Sequence, residues 1–329
     1  NQNEPQFHIY VSIFTEMVNP KQISNAKIIF SPLNWGMGHV SRSIPLLEQL
    51  LNQHNSITVF CSAAQREIYE LYFSNLSFIQ HEPYAFSFGK NGFNTLGFIK
   101  QLPGLLNQHQ RELKRIAEYI ALYPTDYIIS DQRYGFRNAS VYSIFITHQC
   151  RLALPWFLGL GQFINRSLIQ RFNMTWIMDD EHQRFAGKLS GKFASNQHYI
   201  GVKSRFHLAS SVKKEERTLH ILVVNGPTEF HPFLVKAFES EINKIDVIIG
   251  GHLDKPVNIP RVCSWSEADE ILEKAATIYS FCGYSTLMDV VALGCEWKSI
   301  PTPGQWEQHF LHKNTLTERP GYLNTESSN

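Results

Sequence analysis

Asn34-Trp35-Gly36-Met37-Gly38-His39-Val40-Ser41-Arg42 is the stretch on which the reading of this chain turns. The apolar run Lys27-Ile28-Ile29-Phe30 leads into it, and a helical pattern from Ile44 to Leu51 leaves it. A strand, a Gly-x-Gly turn and a helix start together point backbone N–H groups outward, where anions are welcome. His39 stands at that helix start, and within the stretch it is the only side chain able to take a proton near neutral pH. Two explanations are open. Gly36 and Gly38 allow a ligand to approach the backbone closely, with His39 as general base; or the segment is an ordinary tight turn with a capping histidine, since two glycines in four residues are common.

The pattern alternates outward from this point. Lys27–Ser31 reads as a strand and Val40–Gln53 as a helix, with Pro45 tolerated in its first turns. Ser56–Cys61 reads as a strand, Ala63–Phe73 as a helix and Leu76–Gln80 as a short strand. Short buried strands alternating with helices predict a parallel α/β sheet. Gly89–Gly97 reads as a loop, and Phe98–Leu122 as a long helical stretch interrupted at Pro103-Gly104 and basic on one side. Asp126–Asp131 and Val141–Thr147 are β-branched runs. Between them lies the polar, aromatic segment Asp131-Gln132-Arg133-Tyr134-Gly135-Phe136-Arg137, where α/β sheets carry ligand loops. Thr147-His148-Gln149 ends the second run and opens at the same sheet edge as His39. Leu152–Phe163 is apolar but holds Pro155, Gly159 and Gly161.

A second series follows a polar link ending in Lys213-Lys214-Glu215-Glu216-Arg217. Leu219–Val224 reads as a strand that turns through Asn225-Gly226-Pro227-Thr228 into the helix Glu229–Phe238. Asp246–Gly250, Thr277–Phe281 and Lys298–Pro301 read as strands, and Glu267–Lys274, Leu287–Leu293 and Trp306–Leu316 as helices. The expected division is an N-terminal tail or extra strand at 1–25, a first domain at 26–205, a second at 206–317 and a disordered tail at 318–329. The expected fold class is α/β, with two domains facing a cleft.

The second series holds two further constellations. In Cys282-Gly283-Tyr284-Ser285-Thr286, a glycine and two hydroxyls sit where a helix begins, a combination that suits a diphosphate. Asp289, a turn later, could accept from sugar hydroxyls; an ordinary helix cap by Ser285 explains the same residues. In Pro301-Thr302-Pro303-Gly304-Gln305-Trp306-Glu307-Gln308, two prolines fix the backbone. Gln305, Glu307 and Gln308 then offer a carboxylate and two amides to vicinal hydroxyls. The plain alternative is a polar helix start with Glu307 complementing the dipole.

Composition excludes several classes. The 329 residues are 43% hydrophobic and 18% charged with a net charge of +1, which gives no reason to expect nucleic-acid binding. The five cysteines form no C-x-x-C pair, against a zinc site or a disulfide framework and in keeping with a cytoplasmic setting. No apolar run is long enough to span a bilayer, and the first 25 residues lack a signal pattern. The stretches 98–122 and 152–163 offer peripheral membrane contact or a lipid-linked substrate as an alternative to helix surface and core packing.

With both halves in view, the chain resembles the GT-B glycosyltransferases, and within them family 28, which includes the enzyme that adds N-acetylglucosamine to the lipid-linked peptidoglycan precursor. WGMGHVSR resembles that group's glycine-rich loop, CGYSTLMD its donor segment (with Asp289 where Glu is usual), TPGQWEQ its proline-led loop, and THQ at 147–149 its strand-end segment. SDQRYGFR, FITHQ, FAGKLS and YIGVKSRF also look like bacterial proteins described only as glycosyltransferases, which implies a separate bacterial subgroup; a lipid- or cell-envelope-linked acceptor is one expectation of the family 28 resemblance. The chain departs from the pattern at Asn225–Thr228, which lacks a glycine-rich run. It also departs after Gln308, where the family sends a final helix back to the first domain.

The resemblance implies two Rossmann-like domains facing an interdomain cleft, and inverting, metal-independent transfer from a nucleotide-diphosphate sugar, a UDP-sugar such as UDP-GlcNAc, to an unknown acceptor hydroxyl. The nucleotide-sugar is then a substrate, and no cofactor is expected. His39 and Asp131 are implied as catalytic. Arg205, Gly226, Gly283, Ser285, Thr286, Asp289, Gln305, Glu307 and Gln308 are implied on the donor side, and Gly36, Gly38, Arg133, His148 and Gln149 on the acceptor side. Two rival readings are a nucleotide-sugar hydrolase or epimerase on the same fold, since G-x-G-H-V-x-R also resembles the hydrolases of nonulosonate synthesis, and a non-catalytic sugar-nucleotide binding protein.

Overall fold

The strand that leads into the Gly-x-Gly turn, β1 (Lys27–Pro32), is buried from its second residue to its last. Such a strand needs a neighbour on each side and a helix on each face. A computed structural model describes residues 18–84, 95–154, 159–206, 216–251 and 258–318. The expectations for residues 1–17, for the loop at 85–94, for Pro155, for Lys213–Glu215 and for the tail beyond 318 lie outside the described residues.

In chain order, β1 is followed by α1 (Gly38–Asn52), β2 (Ser56–Cys61), α2 (Ala63–Tyr72), β3 (Ser77–Gln80), α3 (Thr95–Leu122), β4 (Tyr127–Asp131), β5 (Tyr142–Thr147), α4 (Gly159–Ile169), β6 (Met174–Ile177) and β7 (Gln197–Tyr199). These strands form one seven-stranded sheet in the order β3-β2-β1-β4-β5-β6-β7. Then come β8 (Leu219–Val224), α5 (His231–Ala237), β9 (Val247–Gly250), β10 (Arg261–Val262), α6 (Trp265–Leu272), β11 (Ala275–Phe281), α7 (Tyr284–Leu293), β12 (Glu296–Ile300) and α8 (Trp306–Glu318). Their five strands order as β10-β9-β8-β11-β12. Every strand pair in both sheets is parallel.

Local chemistry sets the element ends. Ser62 and Gln65 form a reciprocal capping box that starts α2. Gly294, at φ 65°, ends α7 in the left-handed conformation that glycine adopts without penalty. In α1 the buried residues Val40, Ile44, Leu47 and Leu50 recur every three or four positions and face the sheet.

Some expectations are corrected. The stretch around Pro103 is not interrupted: α3 runs unbroken from Thr95, so residues 95–97 are helix, not loop. A proline removes one donor and kinks a helix, but 28 residues hold enough other turns to carry it. The glycines at 159 and 161 lie inside α4, and the Glu229–Phe238 helix divides into a 3-10 turn at Thr228–Phe230 and α5. The two-residue β10 carries no pattern that a sequence could show.

The two sheets share apolar packing. One buried cluster joins Phe30, Val40, Ile44 and Trp176 of the first sheet's layers to Cys282, Tyr284, Leu287, Met288 and Leu311 from the second half. Complete burial of a leucine contributes about 1.5–3 kcal/mol, so α1 and α7 are held together by more than polar contacts.

Candidate active site

The sheet order brings the site together. β1 and β4 are neighbours, paired from Ile28 with Tyr127 to Pro32 with Asp131. His39 follows β1 and Asp131 ends β4, so both open at the carboxyl edge, where ligand crevices form in sheets of this kind. His39 Nδ1 lies 2.9 Å from Asp131 Oδ2. Arg42, one turn further along α1, donates from Nε to the same oxygen at 3.1 Å and from Nη2 to Oδ1. Asp131 is completely buried and Arg42 nearly so. Burial alone would raise the Asp131 carboxyl, but Arg42 and His39 hold it well below the usual carboxylate range.

His39 Nδ1 also sits 2.8 Å from Arg42 Nη2. It cannot accept from Arg42 and donate to Asp131 at once. An ionised carboxylate only accepts, so the tautomer that satisfies it carries the proton on Nδ1 and leaves Nε2 with the lone pair. Burial, then the positive charge of Arg42, lowers the His39 pKa below its ordinary 6.5, against the upward pull of Asp131. His39 is therefore neutral at pH 7, with Nε2 able to take a proton.

Arg42 extends the network. Its Nη1 donates to His148 Nδ1 at 3.0 Å, and His148 Nε2 then donates to Glu307 Oε1 at 2.6 Å. Burial would raise the Glu307 carboxyl, while His148 and Arg42 hold it down. The chain Asp131–Arg42–His148–Glu307 thus crosses from the first sheet's edge to the start of α8. Tyr284, the first residue of α7, stacks flat on His148 with ring centroids 4.0 Å apart and donates its hydroxyl to the Met178 carbonyl.

The N-terminus of α7 meets that of α1. Ser285 Oγ donates to the Gly38 carbonyl at 2.8 Å. A Cβ on Gly38 would stand 2.7 Å from Ser285 Oγ and 3.1 Å from its Cβ, so this glycine is required by the approach of the second half. Gly36, at φ +91°, makes the turn before it, with Trp35 and Met37 exposed on either side.

Other expected residues sit as follows. Gly283 is the cap position of α7, and the Thr286 hydroxyl accepts from Asn225 Nδ2 at 3.1 Å. Gly226 turns at φ +78° beside the Phe281 ring. Gln308 accepts from the Thr302 N–H at 2.8 Å and donates to Gln305 Oε1 at 2.7 Å, so the two amides brace each other while Glu307 reaches His148. The Gln149 N–H donates to Thr147 Oγ1.

Three residues stand apart from where a ligand-facing role puts them. Arg133 is buried against Glu112 at 2.6 Å, beneath the loop. Arg205 and Asp289 hold each other at 2.7 Å. Arg205 also donates to Asp269 at 2.7 Å and to Ser41 Oγ at 2.5 Å, and Ser204 Oγ donates to the other Asp289 oxygen at 2.7 Å. Burial pushes the Asp289 carboxyl up, and Arg205 pulls it back.

Arg42 and Tyr284 are the residues the sequence reading passed over, although both lie within the quoted motifs. The signal for Arg42 was its spacing: three positions after His39 on a helix is the same face. Among the described residues no group of three or more His, Cys, Asp or Glu side chains is placed to hold a metal ion, and no helix is long and apolar enough to cross a membrane.

No protein-family model matches the chain, and no curated protein sequence matches it. Solved structures do. Arabidopsis thaliana UGT89C1 complexed with quercetin superposes with a TM-score of 0.62 at 12% identity, over 89% of this chain and 83% of that one. The spinosyn rhamnosyltransferase SpnG complexed with thymidine diphosphate gives 0.59 at 12% identity, over 88% and 84%. CalG4, the calicheamicin glycosyltransferase, gives 0.56 at 13% identity, over 88% and 83%. Two parallel α/β halves, in these strand orders and meeting helix tip to helix tip, give the chain the GT-B fold that those glycosyltransferases share.

Proposed function

We propose that the protein is a glycosyltransferase that moves a sugar from a nucleoside-diphosphate sugar to an acceptor hydroxyl, with inversion. The observation that carries this reading is the contact of the partly exposed His39 with the buried Asp131 at the carboxyl edge of the first sheet, set against the N-terminus of α7. His39 Nε2 takes the proton of the acceptor hydroxyl as its oxygen attacks the anomeric carbon. The bond from that carbon to the diphosphate oxygen breaks, and the diphosphate leaves with the electron pair. Asp131 holds the Nδ1 proton and stabilises the imidazolium that forms. The N–H groups at the start of α7, with Gly283 and Thr286, face the leaving diphosphate and supply fixed donors for its charge, a task this reading assigns to the backbone and not to a metal ion.

Glu307 and the braced amides Gln305 and Gln308 face the sugar. Arg205 and Asp289 are assigned to holding α7 against α1, in place of the diphosphate and ribose roles that the resemblance implies. The finer likeness to family 28, with a UDP-sugar donor and an acceptor of the bacterial envelope, rests on the motifs WGMGHVSR, CGYSTLMD and TPGQWEQ. Among structures of the same fold, UGT89C1 is complexed with UDP-L-rhamnose and SpnG with thymidine diphosphate, so the donor panel includes uridine and thymidine nucleotides.

The test is incubation with UDP- and TDP-sugars, with and without candidate acceptors. Acceptor-dependent transfer supports the reading. Free sugar appearing without acceptor assigns a hydrolase, and nucleotide binding without turnover assigns a binding protein. His39→Ala is expected to abolish turnover and leave nucleotide affinity nearly unchanged; turnover at the parent rate would sink the role given to His39.

A further inference from the structure

Beyond β5, β6 and β7 the same carboxyl edge carries a second concavity, a cavity of about 330 Å³ lined by Arg151, Lys188 and Lys192 with Glu181, Gly191 and Tyr199. Arg151 follows β5, Glu181 to Lys192 follow β6 and Tyr199 ends β7, so the cavity lies one to three strands along the edge from Asp131. Its three cations make no ion pair with any carboxylate among the described residues, although Glu181 stands on the same rim. All three are exposed, so water screens their mutual repulsion, and an anion placed between them is attracted by each.

The wall behind them is built, not loose. Asp179 accepts from Ser190 Oγ at 2.6 Å, from the Ala186 N–H at 2.9 Å and from the Phe185 N–H at 3.1 Å, fixing the turn that carries Lys188. The Arg151 N–H donates to the Leu189 carbonyl at 2.9 Å, and the Tyr199 hydroxyl donates to the Ser190 carbonyl at 3.1 Å. The Lys192 ammonium is held 4.6 Å from the Tyr199 ring centroid. Gly191 keeps the floor open: a Cβ there would stand 3.3 Å from Arg151 Nε.

We infer that this cavity is an anion subsite for a phosphate or carboxylate carried on the acceptor. Arg151 offers its planar fork to two oxygens, and the lysines add charge without fixing geometry. Glu181 limits how much negative charge the rim accepts, which favours a single anionic group over a polyanion. The acceptor role rests on the transferase reading above; the anion site itself does not.

The experiment is amide NMR titration of the full chain with inorganic phosphate and, separately, with phenyl phosphate, the probe for an anion borne on a larger molecule. Saturating shifts are expected at Leu189, Gly191 and Lys192. Arg151→Gln with Lys188→Gln should weaken binding by roughly tenfold or more. Glu181→Gln should tighten it, a gain that no folding defect can produce. Shifts that scatter over the surface, or equal affinity in all three proteins, would overturn the site. Binding of inorganic phosphate with none of phenyl phosphate would overturn the acceptor role and leave a free-anion site. UDP binding, followed in the same samples, reports on the donor half and distinguishes failure of this inference from failure of the transferase reading.

Discussion

Arg42→Gln should raise the pKa of His39. In the parent protein the guanidinium stands 2.8 Å from His39 Nδ1 and neutralises Asp131 from the other side. Two unit charges about 4 Å apart at an effective dielectric of about 20 interact by about 4 kcal/mol, or roughly 3 pK units. Removing Arg42 deletes that repulsion and leaves the buried Asp131 with His39 as its nearest positive partner. Water entering the vacated space screens part of the effect, so the His39 pKa should rise by less than that full interaction. The assay is an NMR titration of the His39 Cε1–H resonance, assigned by its loss in His39→Ala, and it needs no substrate. The parent should titrate below 6.5, because burial and Arg42 both lower it. Arg42→Lys keeps a cation in place and should stay near the parent value, which separates charge from mere disturbance. In turnover assays the acid limb of kcat/KM should move up with the titration. A folded Arg42→Gln protein whose His39 titrates at or below the parent value would refute the electrostatic account.

Other perturbations test the contact between halves and the buried charges. Gly38→Ala places a methyl against Ser285 Oγ and should cost about 1–3 kcal/mol by overpacking, read by urea unfolding; adding Ser285→Ala should recover part of it, and strict additivity would show that the two sites do not touch. Arg205→Met leaves Asp269 and Asp289 without their shared cation and should cost about 3–5 kcal/mol; a loss below about 1 kcal/mol would mean the triad holds nothing. Acid should destabilise the protein from near neutrality. His39 and His81 are lowered in the folded state, by burial first, so they contribute stability above their unfolded value of 6.5 and lose it as pH falls. Asp131, Glu112 and Glu307 are lowered as well, so their contribution is present above 3.8–4.5 and lost below. Asp179 and Asp289 are raised and act in the opposite sense, but between pH 7 and 5 they oppose five lowered histidines, His39 and His81 together with His109, His198 and His312. The melting temperature should fall between about pH 7 and pH 5, and a flat or rising profile would contradict that sum.

The fold was legible because its signal is local. Ser56–Cys61 and Leu219–Val224 are short apolar runs between polar turns, and their ends match the observed strands. The placement of His39 and Asp131 at one sheet edge was legible because a residue at a strand's carboxyl end in a parallel sheet lies at that edge whatever its neighbours are. What the sequence could not show is which charges cancel. Arg133 and Arg205 read as cations waiting for a ligand, yet their partners Glu112 and Asp289 lie 21 and 84 residues away in the chain. Nothing in local pattern reveals a pairing that only the folded sheet creates. Arg42 failed for the reverse reason. It stood in plain view beside His39, but its importance comes from Asp131 and His148, 89 and 106 positions distant and joined to it only by the strand order.

The juxtaposition of β1 and β4 bears on how the molecule is made. Their contact brings together His39 and Asp131, 92 positions apart, with β2 and β3 on the far side of β1. Parallel pairings at such sequence separation must meet the entropy of ring closure before they return any energy, which makes them slow to nucleate. An emerging chain therefore carries no acid–base pair until most of its first half has been synthesised and assembled. The pairing of His39 with Asp131 is gated by topology, and a nascent or partly folded chain does not hold it.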